Sequence, residues 1–88
     1  MVEEGKKIIH VIATVQTKEG KRADFVQAFN KLVPLVRAEE GCIEYGPTVD
    51  VQTLIPIQGP LRENHVIIVE KWATLDHLMA HLKAPHMA

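Results

Sequence analysis

The chain has 88 residues, of which 47% are hydrophobic and 24% are charged, and its net charge at pH 7 is −1. This length indicates one domain, residues 1–88, and the balanced charge with few aromatic residues argues against a nucleic-acid partner. No apolar run approaches the roughly 20 residues that a membrane-spanning helix needs, so no membrane partner is expected. The single cysteine excludes an internal disulfide bond, and the opening MVEEGKK lacks the order of a secretion signal. These features predict a cytoplasmic protein.

The first predicted element is a strand. Residues 7–17, KIIHVIATVQT, are rich in β-branched side chains and contain no Gly or Pro. Alternation puts Ile9 and Val11 on one face and His10 and Ile12 on the other. Both faces are substantially apolar, which predicts that both are covered. One helical layer can cover only one of them, so we expect a second copy of the chain to cover the other in a homodimer.

A helix is predicted after a turn at Gly20. Apolar residues recur there at steps of three and four: Phe25, Phe29, Leu32, Val33 and Val36. Pro34 lies inside this pattern and is expected to bend or divide the helix, and Gly41 is expected to end it. Arg37 and Glu39 fit the solvent-exposed side of the helix.

Two further strands flank a long connection. Residues 42–51, CIEYGPTVDV, have strand character, but Gly46 and Pro47 interrupt them and predict an edge strand that is bulged or short. Residues 52–64 have no clear period, and their apolar content predicts a loop that folds over the domain or onto a partner. Residues 65–72, HVIIVEKW, predict a second strong strand.

The chain ends in a short predicted helix with Thr74 as its N-cap and Pro85 as its stop. Four apolar residues at helical spacing predict a packed face: Leu75, Leu78, Met79 and Leu82. The order β-α-β-β-α is the split βαβ arrangement of a ferredoxin-like α+β sandwich without its last strand.

Several blocks of the sequence resemble the antibiotic biosynthesis monooxygenase family, and within it the small quinol monooxygenases. They are EEGC-x-x-Y, E-x-W and H-L-x-x-PHM, which together and in this order are specific, although each alone would be weak. The resemblance spans Ile9 to Met87. It implies a ferredoxin-like fold whose sheets pair into a dimeric α/β barrel, with a closing C-terminal strand expected beyond Ala88. It also implies oxidation of quinol-like or polycyclic aromatic small molecules by molecular oxygen without a cofactor.

Three residues are the predicted catalytic groups: His81, Trp72 and Tyr45. An ionised quinol donates electrons to oxygen more readily than a neutral one, and a histidine, with an ordinary pKa of about 6.5, suits removal of the proton. His81 is predicted to lie at the seam between the exposed and packed sides of its helix, with a half-buried structural histidine as the alternative. Trp72 holds the ring or belongs to the core. Tyr45 donates a hydrogen bond to a substrate oxygen or is an edge-strand aromatic with a solvated hydroxyl.

Three more residues are predicted to bind the substrate: His86, Met79 and Glu70. Glu70 shares a strand face with Trp72 and would need a partner, for which Arg37, Lys71 of a second copy and a backbone donor are candidates. The histidines of the last helix lack a cysteine or carboxylate to complete a familiar set, so no metal site is predicted. No phosphate-cradling glycine loop is present, so no flavin is predicted either.

Two other functions remain open on sequence alone. One is a non-catalytic dimeric module that binds small molecules. The other is a phospho-sugar isomerase of the same fold, which has histidines matching His81 and His86 but lacks a tryptophan at the position of Trp72. Haem-degrading relatives carry a tryptophan where His81 stands, so that role is not expected.

Overall fold

A computed structural model of the chain describes residues 7–87. The opening MVEEGKK, in which no secretion signal was predicted, lies outside this range apart from Lys7, and so does Ala88. The elements, in chain order, are β1 (Ile9–Gln16), α1 (Arg22–Arg37), β2 (Cys42–Thr48), β3 (His65–Trp72), α2 (Leu75–Leu82) and a 3-10 turn (Pro85–Met87). Within the described residues, none of the helices has the length and apolar character needed to cross a membrane.

The three strands form one antiparallel sheet in the order β1-β3-β2. The central strand β3 pairs with β1 along its whole length, with Ile12 opposite Val69. Residues of α1, of all three strands and of α2 meet in one hydrophobic core, so both helices contribute to the same layer. This arrangement confirms the predicted α+β class and the predicted element order.

The two faces of the sheet differ in burial. On β3 the residues Val66, Ile68, Glu70 and Trp72 are buried, whereas the residues between them are only partly buried. The buried face packs against the core side of α1. On the other face, Ile12 of β1 keeps 65% of its surface exposed. The predicted two-faced strand is therefore present, and the helical layer covers one face of it.

Helix α1 is continuous through Pro34, so the proline does not divide it. The Pro34 carbonyl still accepts a hydrogen bond from the Ala38 N–H at 3.2 Å, and Pro34 itself lies on the exposed side. The helix ends at Arg37, and the prediction that Gly41 ends it is wrong. Gly41 instead occupies a later turn with a φ of +82°, and a Cβ at this position would overlap the His77 ring. Only glycine fits both requirements.

Strand β2 is an edge strand with a register shift between Cys42 and Glu44, as the interrupted pattern predicted. It ends at Thr48 rather than at residue 51. Pro47 lies within it, which an edge strand tolerates because one side needs no ladder donor.

The connection after β2 is an irregular loop that is stabilised by hydrogen bonds between its own residues. The Gln58 side chain accepts hydrogen bonds from the backbone and hydroxyl of Thr53 and donates to the Val51 carbonyl. Its tip does not fold over the domain, because Leu54 is fully exposed and Ile57 is 92% exposed. That part of the prediction is wrong, since the internal hydrogen bonds fix the loop away from the core.

The Asp50–Arg62 pair, which closes this loop, predicts a measurable titration shift. Hydrogen bonds from the Arg62 side chain and backbone lower the pKa of Asp50 to about 2. Arg62→Gln should raise that pKa toward the ordinary value of 3.8 without reaching it, because the backbone donor remains. Carboxyl NMR titration measures this directly.

The sign of the effect on stability follows from the lowered pKa. The pair stabilises the loop fully above pH 3.8, and this contribution is lost as the pH falls through about 2. Lys31→Gln, which removes one exposed positive charge on α1, is the matched control and should leave Asp50 unchanged. A pKa close to 3.8 in the unsubstituted chain would contradict the prediction.

Candidate active site

Helix α2 begins after the predicted N-cap, Thr74, and it packs on the sheet through a different face from the one that the sequence predicts. The Thr74 hydroxyl accepts a hydrogen bond from the His77 N–H at 3.2 Å. The predicted packed face is wrong for three of its four residues, because Leu75, Met79 and Leu82 are each about half exposed. Leu78 and His81 face the core instead.

His81 is the most buried residue of α2, with 1% of its surface exposed. The prediction that it lies at the seam between exposed and packed sides is therefore wrong. Its Nδ1 lies 2.9 Å from Oε2 of Glu39, and its ring lies against Trp72. These two contacts orient the helix through a polar side chain, which a pattern of apolar residues cannot predict.

Glu39 links two histidines through one carboxylate oxygen. The same Oε2 that contacts His81 lies 2.6 Å from Nε2 of His86 in the 3-10 turn. Partial burial acts to raise the pKa of Glu39, but the hydrogen bonds and charges of the two histidines outweigh it and lower the pKa overall. Glu39 is therefore a carboxylate that accepts, and each histidine nitrogen facing it donates.

Two aromatic rings enclose His81. Trp72 is completely buried, and its ring centroid lies 4.5 Å from that of His81 with a tilt of 31°. The Tyr45 centroid lies 5.5 Å from that of His81, edge to face at 65°, and Tyr45 is 2% exposed. Phe29 of α1 stacks on the far side of Tyr45. Of the three residues predicted to be catalytic, Trp72 and Tyr45 thus each contact His81.

Glu70 lies behind this group on the buried face of β3. The Trp72 Nε1–H donates to its Oε1 at 2.9 Å, and His81 Nε2 lies 4.0 Å from the same oxygen. Arg37, one of the candidate partners for Glu70, instead donates from Nε to the Tyr45 carbonyl. Residues two apart on a strand share a face, which is why Glu70 and Trp72 meet.

Tyr45 is held as a neutral phenol. Burial raises the pKa of Tyr45 to about 12, and the negative charges of Glu70 and Glu39 act in the same direction. A phenol of this kind keeps its proton at neutral pH, so its hydroxyl is available as a hydrogen-bond donor.

The predicted set of site residues includes one residue that lies outside the site and lacks one that belongs to it. Met79 is 47% exposed and lies on the outer side of α2, away from the group around His81. Glu39, which we assigned to the exposed side of α1, has only 16% of its side chain exposed and joins the group. Because α1 ends at Arg37, residue 39 no longer follows the helical period that placed it outside. In the sequence, the position of Glu39 in the EEGC block is the feature that indicates a role in the site.

The three rings at the centre of the site are buried, since His81, Trp72 and Tyr45 each expose 2% of their surface or less. Two surface pockets of about 410 and 370 Å³ lie at the beginning of α1, and no residue of the His81 group lines either of them. His86 is the most exposed member of the group, with 23% of its side chain accessible. Entry to His81 therefore requires neighbouring side chains to move, and His86 marks the accessible rim.

A ferredoxin-like sheet with a carboxylate-bound histidine enclosed by aromatic rings defines a small-molecule enzyme site more readily than a surface for macromolecules. The antibiotic biosynthesis monooxygenase family model matches residues 8–88, and the chain belongs to this family. This finding confirms the predicted family and the predicted enzyme class, an oxidoreductase.

Similar proteins agree with that assignment. The chain is 37% identical over 82 residues to the probable quinol monooxygenase YgiN of Escherichia coli (strain K12), covering 91% of this chain and 78% of that protein. The YgiN protein of Shigella flexneri matches to the same extent.

Solved structures of similar proteins have the same fold. A conserved protein of Bacteroides thetaiotaomicron, described as a possible oxidoreductase, superposes with a TM-score of 0.76 at 26% identity, covering 94% of this chain and 79% of that one. A candidate antibiotic biosynthesis monooxygenase of Caulobacter crescentus CB15 superposes with a TM-score of 0.73 at 25% identity, covering 96% and 72%. These structures confirm the predicted ferredoxin-like fold.

The raised pKa of Tyr45 can be measured without labelling, because Tyr45 is the only tyrosine in the chain. Tyrosinate absorbance in the near ultraviolet should reach half its final value near pH 12 in the folded protein. In denaturant the midpoint should fall to about 10, the ordinary value for tyrosine.

Burial of the neutral phenol also makes the stability of the folded chain depend on pH. The folded pKa lies above the unfolded one, so the contribution is complete below pH 10 and is lost as the pH rises toward 12. Circular dichroism recorded in parallel shows whether the chain is still folded at each point. A midpoint near 10 in folded protein would be incompatible with the buried position of Tyr45.

Proposed function

We propose that the chain is a monooxygenase that oxidises quinol-like or polycyclic aromatic small molecules with molecular oxygen and without a cofactor. The observation that carries the proposal is the buried His81 ring, held at 2.9 Å by Glu39 and enclosed by Trp72 and Tyr45. The similarity to a protein named as a probable quinol monooxygenase supports the substrate class.

Proton removal is assigned to Nε2 of His81. Glu39 is a carboxylate and accepts at its contact with Nδ1, so a neutral His81 carries its proton on Nδ1. The lone pair of Nε2 is then directed away from Glu39 and can accept the hydroxyl proton of a quinol. This is the arrangement of a general base oriented by a third group.

The substrate supplies every electron that the reaction needs. Conversion of a quinol to a hydroxyquinone releases four electrons, which reduce one O₂ to one inserted oxygen atom and one water molecule. A C–O bond forms on the ring, the O–O bond breaks, and the second oxygen leaves as water with two substrate hydrogens. The protein therefore has to bind the substrate, remove its hydroxyl proton and exclude water, and it needs no group that carries electrons.

The other residues serve binding and orientation in this proposal. Trp72 provides a flat surface for the ring, and Tyr45, as a neutral phenol, donates to a substrate oxygen. Glu70 fixes the Trp72 indole through its Nε1–H, and His86 contacts the substrate at the rim. Met79, being half exposed and outside the group, contributes only if the substrate extends along α2.

Oxygen uptake separates this function from its alternatives. A panel of hydroquinones is added to chelator-treated protein in an oxygen electrode, and substrate-dependent uptake with formation of a hydroxylated quinone supports the proposal. Binding of the same compounds without uptake would favour the small-molecule-binding module. Interconversion of phosphorylated sugars without oxygen consumption would favour the isomerase.

Substitution of the proposed base tests the mechanism. His81→Ala should lower kcat by about 10²–10⁴-fold, the range that general acid–base catalysis contributes. His77→Ala is the matched control on the same helix, because the capping bond from its backbone N–H survives, although the contact of its ring with the Thr74 hydroxyl is lost. The measurement is the initial rate of oxygen uptake at saturating substrate.

Stability is measured beside the rate, because His81 is buried and its removal leaves a cavity. His81→Asn, which keeps a polar group in the same space, is the second variant. An unchanged kcat in a folded variant of either kind would remove His81 from the proton-transfer role.

We also propose that the chain forms a homodimer through the outer face of the sheet. Ile12 is 65% exposed, and the partly buried Ile67 and Val69 lie on the same face of the neighbouring strand. A contiguous apolar patch of this kind on a small domain marks an interaction surface. The exposed loop tip at Leu54 and Ile57 is a second apolar surface that a partner can cover.

Ile12→Glu should convert the dimer to monomer at micromolar concentration, because it places a charge in the middle of the proposed interface. Leu35→Glu is the matched control, since Leu35 is 53% exposed on α1, which lies on the opposite side of the sheet. Sedimentation velocity gives the oligomeric state. A well-folded monomer for the unsubstituted chain would contradict the proposal.

A further inference from the structure

The group around Glu39 contains a ligand set that the sequence pattern did not reveal. One carboxylate oxygen of Glu39 and one ring nitrogen each of His81 and His86 lie within 4.8 Å of one another. They come from three separate segments, the turn after α1, helix α2 and the 3-10 turn. Two imidazoles and one carboxylate are donors suited to Zn²⁺ and related divalent transition metals. Glu39 therefore supplies the carboxylate that the histidines of the last helix lack as a metal-ligand set in the sequence.

The two contacts that Glu39 makes are close to the spacing that a tetrahedral ion needs, and the third pair of ligand atoms lies within 4.8 Å. Glu39 Oε2 lies 2.9 Å from His81 Nδ1 and 2.6 Å from His86 Nε2. Zinc–ligand bonds of about 2.0–2.2 Å in tetrahedral geometry separate adjacent ligand atoms by about 3.3–3.5 Å. Each contact therefore has to open by less than about 1 Å. His86, at the rim, is free to make most of that adjustment because it is the most exposed of the three.

Glu70 lies on the outer side of His81, where metal-bound histidines usually have a carboxylate or carbonyl partner. When Nδ1 of His81 is a ligand, the proton of the neutral ring resides on Nε2, which lies 4.0 Å from Glu70 Oε1. This separation is longer than a hydrogen bond, and the negative charge of Glu70 favours the Nε2–H form of the ring that metal at Nδ1 requires. A divalent cation also balances two carboxylates, Glu39 and Glu70, that flank a single buried ring.

We propose that Glu39, His81 and His86 bind a divalent transition metal of the Zn²⁺ class, and that the bound metal inhibits the enzyme. Metal at Nδ1 leaves the ring proton on Nε2, the atom assigned to accept the substrate proton. The binding claim stands on the ligand set alone, whereas the inhibition claim rests on the proposed function.

Calorimetric titration of the full chain with ZnCl₂, after treatment with a chelator and its removal, measures binding directly. Visible absorption of the Co²⁺-substituted protein then reports the coordination geometry. His86→Ala removes one ligand at the rim and should weaken Zn²⁺ binding by at least the roughly 10–100-fold that loss of an outer-shell partner costs. His77→Ala, on the same helix but outside the ligand set, should leave Zn²⁺ binding unchanged.

The inhibition claim is tested by the oxygen-uptake assay with added Zn²⁺. Zn²⁺ should suppress uptake in the unsubstituted chain, and the inhibition curve of His86→Ala, normalised to its own metal-free rate, should move to higher Zn²⁺ by the factor measured in the calorimeter.

The outcomes separate the two claims. Absence of Zn²⁺ binding, or binding that His86→Ala leaves unchanged, overturns the metal site. Binding that depends on His86 without loss of uptake overturns the inhibitory role and the assignment of Nε2 as the base. If no quinol supports uptake in any variant, the proposed function fails, and the calorimetric result still decides the metal site.

Discussion

The site is organised by one carboxylate that accepts from two histidines. Glu39 reaches His81 at 2.9 Å and His86 at 2.6 Å, and these contacts tie the turn after α1 to the last two elements of the chain. A buried imidazole without partners would be costly, since an unsatisfied polar group in the interior loses its hydration without compensation. With Glu39 present, His81 can occupy a position that an apolar residue would otherwise fill. The orientation of α2 and the contact with Trp72 both follow from that.

The group of buried polar residues is closely interconnected rather than scattered. Glu70 accepts from the Trp72 indole and lies near the second nitrogen of His81. Networks of this kind strengthen each member in a low-dielectric interior, but they leave little tolerance for loss of a single partner. A core built only from Val and Ile would serve stability as well. The placement of two carboxylates and a histidine beside an aromatic ring is therefore consistent with the chemical role that we propose for this group.

The regular elements were predictable because their periods are strong. Alternation identified β1 and β3, and the Gly46-Pro47 pair identified the irregular edge strand β2. Glu39 was not predictable in this way, because it lies just beyond the helix whose period assigned it to the exposed side. The prediction for the packed face of α2 is wrong for a related reason. Hydrophobicity predicts that Met79 faces the core, whereas the hydrogen bond to Glu39 places His81 there. Contacts between residues distant in sequence decided both positions.

The contact between the only tryptophan and the buried histidine has an optical consequence. Indole fluorescence is quenched by a protonated imidazole in contact with it, and the two ring centroids here are 4.5 Å apart. Because no other indole contributes, emission from Trp72 reports only on the immediate surroundings of this ring pair. The chain therefore carries a built-in spectroscopic reporter at its candidate active site, which can follow ligand entry in real time.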